Sequence, residues 1–437
     1  MSRIRQVLGR IKDAWGWSGF AAGLAGGAVL ALVGANYLLD RPGRDALEDG
    51  TIVILSSFDE SIGEQQLALV EQWNAINPEH KAEFRALRGV ADDHYSEMVG
   101  QAEASKSDVD IFSLDVPWVA EFADRGFLRE MPVTDEDLDG FLAQPLETCR
   151  WGGKLWALPF YTNAGLLYYR SDLITDLQPP TGWQQLTNDI TEAFNSIPEG
   201  KRPAAGYAGQ FADYEGLTVN ALEAIWAAGG DVVDREGNVV VDSPEAREGL
   251  RRLAVGLAHT NPQVIDRDAR TYHETETTQT FREGRLLFMR NWPLALRDLD
   301  TSTETKTISY NVVPLPGPSV LGGQNLAIAS STDQPAAAKA LIQFLTSPRS
   351  QQILFERGGF AATRELVYHD GSVKERYPYA QTLLSALRIA RPRPVTPHYA
   401  QFTKTFREGV NQALSNDGEL PDDFTSRLDA ALDGRTP

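Results

Sequence analysis

The sequence contains a single cysteine, Cys149, among its 437 residues. One thiol excludes an intramolecular disulfide, so stability outside a cell would have to come from a large buried core. No group near Cys149 in the sequence would activate a thiol, and we expect this residue to be a small buried hydrophobe. No cysteine lies in or directly after the apolar segment near the N-terminus, which excludes a lipid-modified cysteine anchor there.

Positive charge is scarce in this chain. The 41 lysines and arginines are outnumbered by 60 acidic residues, giving a formal net charge of −19. Such a chain repels phosphate, so we predict no nucleic-acid partner. With 42% hydrophobic and 23% charged residues the composition is that of a folded protein. Its length predicts two or more lobes rather than one ordinary core.

The N-terminal segment differs from the rest in both charge and hydropathy. Residues 1–13 carry four basic side chains and one acidic side chain, and residues 14–39 carry no charge. As a helix, the apolar stretch would be about 39 Å long, enough to cross a hydrocarbon core of about 30 Å. The positive-inside rule places the basic flank in the cytoplasm and the body outside. We expect an uncleaved transmembrane anchor followed by a tether at 40–50; the alternative is a cleaved signal peptide and a secreted body.

Motifs for metal-dependent or nucleophilic chemistry are missing. The string at 273–277 begins like HExxH, but Thr277 stands where the second histidine is needed. The acids within 135–140 match the start of a calcium loop, yet Leu146 replaces the closing glutamate. Neither a GxSxG sequence nor a P-loop is present. We therefore predict no metal, no cofactor and no catalytic residue.

The body of the chain alternates between strand and helix patterns. Residues 51–56 and 109–114 have the composition of buried strands, and helical spacing follows each of them. This alternation predicts an α/β fold with a parallel sheet. The stretch at 155–173, LWALPFYTNAGLLYYRSDL, contains two further apolar strands with a polar break at Thr162-Asn163. It indicates either a buried hairpin or a place where the sheet opens towards a ligand. Further strands are predicted at 286–290, 309–314 and 325–329.

Aromatic rings recur beside single polar groups where predicted strands end. Sugars need this combination, because hydroxyl groups bind carboxylates and amides while pyranose rings lie flat on aromatic faces. Each element alone also has an ordinary explanation as core or helix cap. Together they favour a sugar-binding site. The candidate residues of this kind are Asp59, Glu60, Asp115, Trp118, Tyr161, Asn163, Tyr214, Glu215, Trp292, Gly323 and Gln324.

Five motifs, in this order, resemble those of extracellular solute-binding proteins of sugar ABC transporters, in the branch that includes maltose- and trehalose-binding proteins. The resemblance covers roughly residues 50–415. The motifs are SDVDIFSLDVPWVAEFADRGFL (107–128), GGKLWALPFYTNAGLLYYRSDLI (152–174), YEGLTVNALEAIWAAGG (214–230), FREGRLLFMRNWPLAL (281–296) and LGGQNLAIASS (321–331).

The resemblance implies a two-lobed α/β periplasmic-binding-protein fold of type II, with a sugar held in the cleft between the lobes. Three chain crossings would join the lobes, within 161–165, near 316–321 and near 358–362. The predicted lobes are 51–161 with 322–357, and 162–321 with 358–437.

The resemblance also implies roles for particular residues. Asp115 and Glu215 would accept sugar hydroxyls from opposite lobes, and Trp292 would stack on a sugar ring. A donor to hydroxyls would come from Arg391 or Arg393 in the proline-rich run.

Two residues depart from the family's pattern in this part of the chain. Asn163 stands where many relatives carry an acid, which puts the polarity of that contact in doubt. Gln324 stands where relatives often have an aromatic residue, beside Gly323, which would allow a close backbone approach.

The function implied is that of the binding component of a sugar ABC transporter. Hinge closure around a di- or oligosaccharide, similar to trehalose or maltose, would precede delivery to permease subunits in the membrane, with no chemistry on the sugar. Two alternatives remain: a membrane-anchored sugar sensor using the same cleft, or a glycoside hydrolase using Asp115 and Glu215 as paired carboxylates.

Overall fold

The computed structural model describes residues 47–175, 177–300 and 308–435. The basic flank, the expected anchor at 14–39 and most of the tether lie outside these residues. Within the described ranges no helix has the length and apolar character needed to cross a bilayer.

The β-strands lie in two main sheets and one short hairpin. The first sheet has the order β2-β1-β3-β11-β6 and the second the order β10-β7-β9-β8, while β4 and β5 pair with each other. The strands are β1 (Ile52–Ser57), β2 (Ala82–Leu87), β3 (Ile111–Asp115), β4 (Arg150–Trp151), β5 (Lys154–Leu155), β6 (Ala157–Ala164), β7 (Leu166–Arg170), β8 (Ala205–Ala208), β9 (Leu286–Asn291), β10 (Tyr310–Pro314) and β11 (Leu321–Ile328).

Helices pack against both sheets. The helices are α1 (Gln65–Ile76), α2 (Ala91–Glu103), α3 (Trp118–Asp124), α4 (Asp135–Leu138), α5 (Ala143–Glu147), α6 (Trp183–Ser196), α7 (Glu215–Ala227), α8 (Pro244–Leu257), α9 (Glu274–Arg282), α10 (Leu294–Asp300), α11 (Pro335–Leu345), α12 (Pro348–Ile353), α13 (Glu365–His369), α14 (Gly371–Arg376), α15 (Ala380–Ile389), α16 (Tyr399–Ser415) and α17 (Phe424–Leu432). Two short 3₁₀ turns, Glu199–Lys201 and Arg267–Thr271, and a π-helical turn, Leu354–Gly358, complete the described elements.

The first sheet begins as the sequence predicts. The apolar run of β1 is buried, as expected for a strand covered by helices on both faces. Helix α1 packs onto this sheet through Trp73, whose ring meets Phe344 of α11 edge to face at 5.6 Å. The parallel partner β2 was not predicted, because it is a partly exposed edge strand of mixed polarity.

The predicted pair of strands at 155–173 is real, but the hairpin interpretation is wrong. Strand β6 pairs with β11 in the first sheet, whereas β7 pairs with β10 and β9 in the second. Gly165 separates β6 from β7, so the chain changes sheet within one residue. This stretch therefore belongs to the crossing between the two sheets.

Two further segments of the chain run between the two sheets or contact both of them. The chain returns to the first sheet between β10 and β11, where Val320 forms a parallel bridge with Arg391. Ala361 and Arg364 bridge to Thr162 and Phe141, so this part of the C-terminal region contacts the first sheet. The lobe boundaries given above stay predictions.

Cys149 is fully buried, as the sequence suggested. Burial raises the pKa of its thiol, and its sulfur lies 3.7 Å from the carbonyl oxygen of Pro145. The acids of the calcium-like stretch begin α4 instead, where Asp137 accepts hydrogen bonds from the backbone and hydroxyl of Thr134. Among the described residues no group of three or more His, Cys, Asp or Glu is arranged to hold a metal ion.

Candidate functional site

Residues at the ends of strands from both sheets converge on one region. Asp115 is the last residue of β3 in the first sheet, and Trp292 directly follows β9 in the second. Glu215 is the first residue of α7, and Glu223 of the same helix binds Arg290 of β9 in the second sheet. Ligands of α/β proteins bind at such strand ends, because the loops and helix starts there are free of the sheet's own hydrogen bonding.

Arg393 joins the two carboxylates that the sequence predicts as sugar acceptors. Its Nη2 lies 2.8 Å from Oδ1 of Asp115, and its Nη1 lies 2.7 Å from Oε1 of Glu215. The arginine is 4% exposed, so the charge is buried with its partners. Burial alone would lower the pKa of Arg393, but the charges of Asp115 and Glu215 outweigh it and raise that pKa. The guanidinium therefore stays charged and joins the end of β3 to the start of α7.

Glu215 is held by further donors from a single helix. The hydroxyl of Tyr399 donates to Glu215 Oε1, and the hydroxyl of Thr403 donates to Oε2 at 2.7 Å. Both residues lie on α16, one turn apart, which is why they reach the same carboxylate. With Arg393 added, Glu215 accepts three hydrogen bonds from the protein, so its carboxylate is fixed and largely satisfied.

One polar atom of this cluster has no acceptor. The Nε of Arg393 is buried and makes no hydrogen bond with any described residue. An unpaired donor on a buried guanidinium is costly. A ligand hydroxyl or a water molecule would satisfy it.

A second group of side chains forms the aromatic part of the site. The indole Nε1 of Trp292 donates to Glu274 Oε1 at 3.3 Å, and the hydroxyl of Tyr214 donates to Glu274 Oε2 at 2.8 Å. The guanidinium carbon of Arg290 lies 3.9 Å from the centre of the Trp292 ring. Asn291 donates to the carbonyl oxygen of Glu274, which ties the start of α9 to the end of β9. The half-buried tryptophan is thus fixed at its edge and on one face.

Asn163 and the glycines of β11 form the wall beside this tryptophan. Asn163 pairs with Gly322 across β6 and β11, and Gly322 lies against the edge of the Trp292 ring. The side-chain amide of Asn163 is partly exposed and makes no hydrogen bond within the described part of the chain. It is available to both donate to and accept from a ligand.

The neighbours of residue 323 leave no room for a side chain, so this position needs a glycine. Its φ is +124°, and a Cβ at this position would lie 2.2 Å from the carbonyl oxygen of Tyr161. The close approach that the glycine permits is that of strand β6, which is a structural reason for the residue. Any approach to a ligand stays a prediction.

Two of the predicted aromatic residues are buried. Tyr161 stacks on Phe360, with ring centroids 4.4 Å apart. Burial, and to a smaller extent the nearby charges of Glu60 and Asp115, raise the pKa of the Tyr161 hydroxyl. Trp118 is 6% exposed and meets Tyr95 edge to face at 5.7 Å. Both rings therefore belong to the core, and their contact with a ligand stays a prediction.

The acids after β1 have different surroundings. Asp59 is buried and accepts hydrogen bonds from the backbone and hydroxyl of Ser61 and from the backbone of Leu67, so it caps the start of α1. Glu60 keeps contact with solvent, but the crowding of protein around it and the charges of Glu274 and Asp298 raise the pKa of its carboxyl. Glu60 therefore lies near Glu274 of α9 and Asp298 of α10.

Gln324 and Arg391 are engaged elsewhere. The amide of Gln324 donates to Ser57 and accepts from Ser113 at 2.6 Å, which links the ends of three strands of the first sheet. The guanidinium of Arg391 pairs with Asp231 and lies 4.5 Å from the centre of the Trp226 ring. Of the two arginines in the proline-rich run, the one that binds the predicted acids is Arg393.

Sequence reasoning missed several residues of this region. Glu274 was considered only as part of a failed metal motif, although it binds both predicted aromatics of the second lobe. Tyr399 and Thr403 are missed because nothing in a helical pattern reveals which face of the helix meets a carboxylate 184 and 188 residues away, respectively. The position of Glu274 at a helix start, between two aromatic motifs, was the signal available.

The chain matches the family model described as bacterial extracellular solute-binding protein over residues 71–380. Among curated proteins, a probable ABC transporter-binding protein of Deinococcus radiodurans is 29% identical over 332 residues, covering 72% of this chain and 77% of that protein.

Solved structures give the same comparison in three dimensions. T. maritima MalE3, solved bound to maltose, is 31% identical with a TM-score of 0.77, covering 88% of this chain and 99% of that one. The GacH receptor of Streptomyces glaucescens, solved without ligand and with acarbose, is 21% identical with a TM-score of 0.73, covering 89% of this chain and 100% of that one. At 21% identity the second likeness concerns the fold alone.

Proposed function

Because the chain belongs to the family of bacterial extracellular solute-binding proteins, we propose that its solute is a di- or oligosaccharide bound between the two lobes. The observation that carries this proposal is the fixed tryptophan. Trp292 is held at its edge by Glu274 and on one face by Arg290, and it adjoins the free amide of Asn163. A flat apolar surface bordered by carboxylate and amide groups suits a pyranose ring and its hydroxyls.

The arrangement of charges supports a hinge mechanism. Arg393 binds one carboxylate from each side, so its two ion pairs exist together only while the lobes are closed. A sugar that bridges the same groups adds contacts to the closed state and shifts the population towards it. The closed protein would then dock on permease subunits and release the sugar, without any bond being made or broken. Likeness to T. maritima MalE3, which binds maltose, supports this class of solute.

A thermal-shift panel of sugars tests the proposal. We expect maltose or trehalose at about 100 times its Kd to stabilise the folded protein by about 2.7 kcal/mol, and so to raise Tm. Trp292→Ala is expected to remove the shift. The matched control is Trp151→Ala, since Trp151 is a half-buried tryptophan that bonds Asp124 in the first lobe. If no mono-, di- or oligosaccharide raises Tm, the sugar assignment is wrong.

Product analysis separates binding from hydrolysis. The carboxylates of Asp115 and Glu215 are both paired with one guanidinium, which leaves neither placed as a free acid or base. We expect oligosaccharides to be recovered unchanged after long incubation. Cleavage that Glu215→Gln abolishes would favour the hydrolase alternative.

We also propose that residues 14–39 anchor the protein to the cell membrane with the lobes outside. The uncharged stretch and its basic flank support this. We expect the full chain to stay in the membrane fraction after high-salt and carbonate washes. Release of a shortened body into the medium would support the signal-peptide alternative.

A further inference from the structure

A buried ion pair lies behind the site, between α7 and β9. Nη2 of Arg290 lies 2.7 Å from Oε1 of Glu223, and its Nε lies 2.9 Å from Oε2, so the pair is bidentate. Arg290 is 1% exposed and Glu223 8% exposed. A pair this deeply buried pays a large desolvation penalty, so stability alone is a weak reason for its presence.

The same carboxylate holds the second crossing between the sheets. Glu223 Oε1 accepts a hydrogen bond from the backbone N–H of Val320 at 3.0 Å. It also lies 3.1 Å from the hydroxyl of Ser319. Both residues belong to the segment that leads from β10 to β11, so this crossing is fixed to α7.

The first crossing is joined to the second through one hydroxyl. The backbone N–H of Gly165 donates to Ser319 Oγ at 2.6 Å. A Cβ on residue 165 would lie 2.7 Å from Nη2 of Arg290, so the guanidinium fills the space that a side chain would need. Both crossings therefore contact the Glu223–Arg290 pair.

The other side of the pair supports the candidate stacking surface. The guanidinium of Arg290 lies 3.9 Å from the centre of the Trp292 ring. The side-chain amide of Gln210 accepts a hydrogen bond from the Arg290 guanidinium and donates one to the Arg290 carbonyl oxygen. The hydroxyl of Tyr168 donates to the carbonyl oxygen of Trp292 at 2.7 Å. A short chain of contacts thus runs from the tryptophan through Arg290 and Glu223 to Ser319.

We propose that the Glu223–Arg290 pair couples the orientation of the Trp292 ring to the two crossings between the lobes. Lobe closure changes backbone angles at the crossings, which moves the groups bound to Glu223. Since Glu223 fixes Arg290 and Arg290 supports Trp292, the stacking surface is set differently in open and closed forms. Glu223, Arg290 and Ser319 are positioning residues on this view. The ligand side of the coupling rests on the proposed sugar function.

The first experiment needs no sugar. The protein is labelled with 5-fluorotryptophan, and the ¹⁹F resonance of Trp292 is assigned as the one missing from Trp292→Phe. Ser319→Ala removes the hydroxyl that joins the crossings without touching Trp292. We expect the Trp292 resonance to shift or broaden, while Ser350→Ala, another buried serine, which bonds Phe344, leaves it unchanged. An unchanged Trp292 resonance in a folded Ser319→Ala protein overturns the proposal.

A second pair of variants tests the link without an unpaired buried charge. Glu223→Gln with Arg290→Met removes the ion pair, and Arg170→Met with Asp172→Asn removes a control pair in the same lobe. We expect the first double variant, and not the control, to change the affinity for maltose about fivefold or more. Equal behaviour of the two double variants contradicts the coupling.

The two proposals can fail separately. If the wild type binds no sugar but Ser319→Ala moves the Trp292 resonance, the sugar function is wrong and the coupling stands. If the wild type binds maltose but folded Ser319→Ala leaves that resonance unchanged, the coupling is wrong and the sugar function stands.

Discussion

Two buried arginines make the most useful comparison in this molecule. Arg290 and Arg393 each bind a glutamate of helix α7, Glu223 and Glu215 respectively. All partners of Arg290 lie in the second sheet, its helices and the crossings, whereas Arg393 also binds Asp115 of the first sheet. Because the first pair does not bridge the two sheets, we expect it to persist in both the open and the closed form. The second must break at least one bond on opening, so burial by itself does not distinguish a structural charge from a conformational one.

Like the Arg393 bridge, two other contacts join the predicted lobes. Arg407 of α16 lies 2.9 Å from Asp92 in the first turn of α2, and Arg297 donates to the carbonyl oxygen of Glu60. Partly exposed contacts of this kind contribute little each. The buried Asp115–Arg393–Glu215 bridge is therefore the contact between lobes with the largest expected effect.

The largest predicted effect concerns Arg290. Glu223→Leu leaves its guanidinium buried without a carboxylate, and we expect a loss of about 3–5 kcal/mol in the free energy of unfolding. Adding Arg290→Met should recover most of that loss, because a neutral apolar pair has no desolvation penalty. Urea unfolding measures both. Equal instability of the single and double variants would show that packing, not charge, dominates at this pair.

Arg393 should show its effect in binding more than in folding. We expect Arg393→Met to weaken maltose or trehalose binding by about 10- to 100-fold, since the closed state loses its bridge between the lobes. The neighbouring Arg391→Met is the control, because Arg391 bonds Asp231 outside the cleft. Calorimetric titration gives both affinities. Similar losses in the two variants would contradict the assignment of Arg393 to the cleft.

Asn163 tests the polarity of the wall beside Trp292. An amide donates and accepts, whereas a carboxylate only accepts, so Asn163→Asp should change the ratio of affinities for trehalose and maltose. We expect a change of about 1 kcal/mol, roughly fivefold, with little effect on Tm. Competition titrations with the two sugars measure the ratio. An unchanged ratio would show that the Asn163 amide does not contact the sugar.

The smallest predicted effect is a pH dependence of closure through Glu60. Its pKa is raised by the surrounding protein and by the charges of Glu274 and Asp298, which belong to the predicted second lobe, so we expect the closed form to bind a proton more readily than an open form or an unfolded chain. The resulting stabilisation is present below the ordinary glutamate pKa and is lost as the pH rises through the raised pKa. We expect closure to become more favourable as the pH falls from 7 towards 5, seen as a smaller radius of gyration in X-ray scattering. Glu60→Gln should flatten this dependence, and an unchanged slope would remove Glu60 from the cause.

Local patterns predicted much of the fold. The buried strands at 51–56 and 286–290 are found at 52–57 and 286–291, since long apolar runs have few alternatives to a covered sheet. Strand β11 begins four residues before the predicted 325, because Gly322 and Gly323 pair with β6 despite their poor strand propensity. Tertiary pairing decides the boundary where the residues themselves are permissive.

The site was predicted less completely than the fold. The sequence identified Asp115, Glu215, Trp292 and Arg393 as candidates, because their residue types suit sugars and the order of the motifs resembles a known family. It could not show that Arg393 binds both acids, since Asp115 and Arg393 are 278 residues apart in the chain. Hydrogen-bond partners at that separation depend on how whole lobes pack.

The sequence alone determined the alternation of strands and helices, the absence of an intramolecular disulfide and the family to which the chain belongs. These features follow from the composition and from the order of neighbouring residues along the chain. Only the tertiary structure decided that β6 and β7 enter different sheets, that Glu274 fixes Trp292, and that Arg290 and Arg393 differ in role. Each of these depends on contacts between segments far apart in sequence, which form only when the buried surfaces of both sheets are packed together.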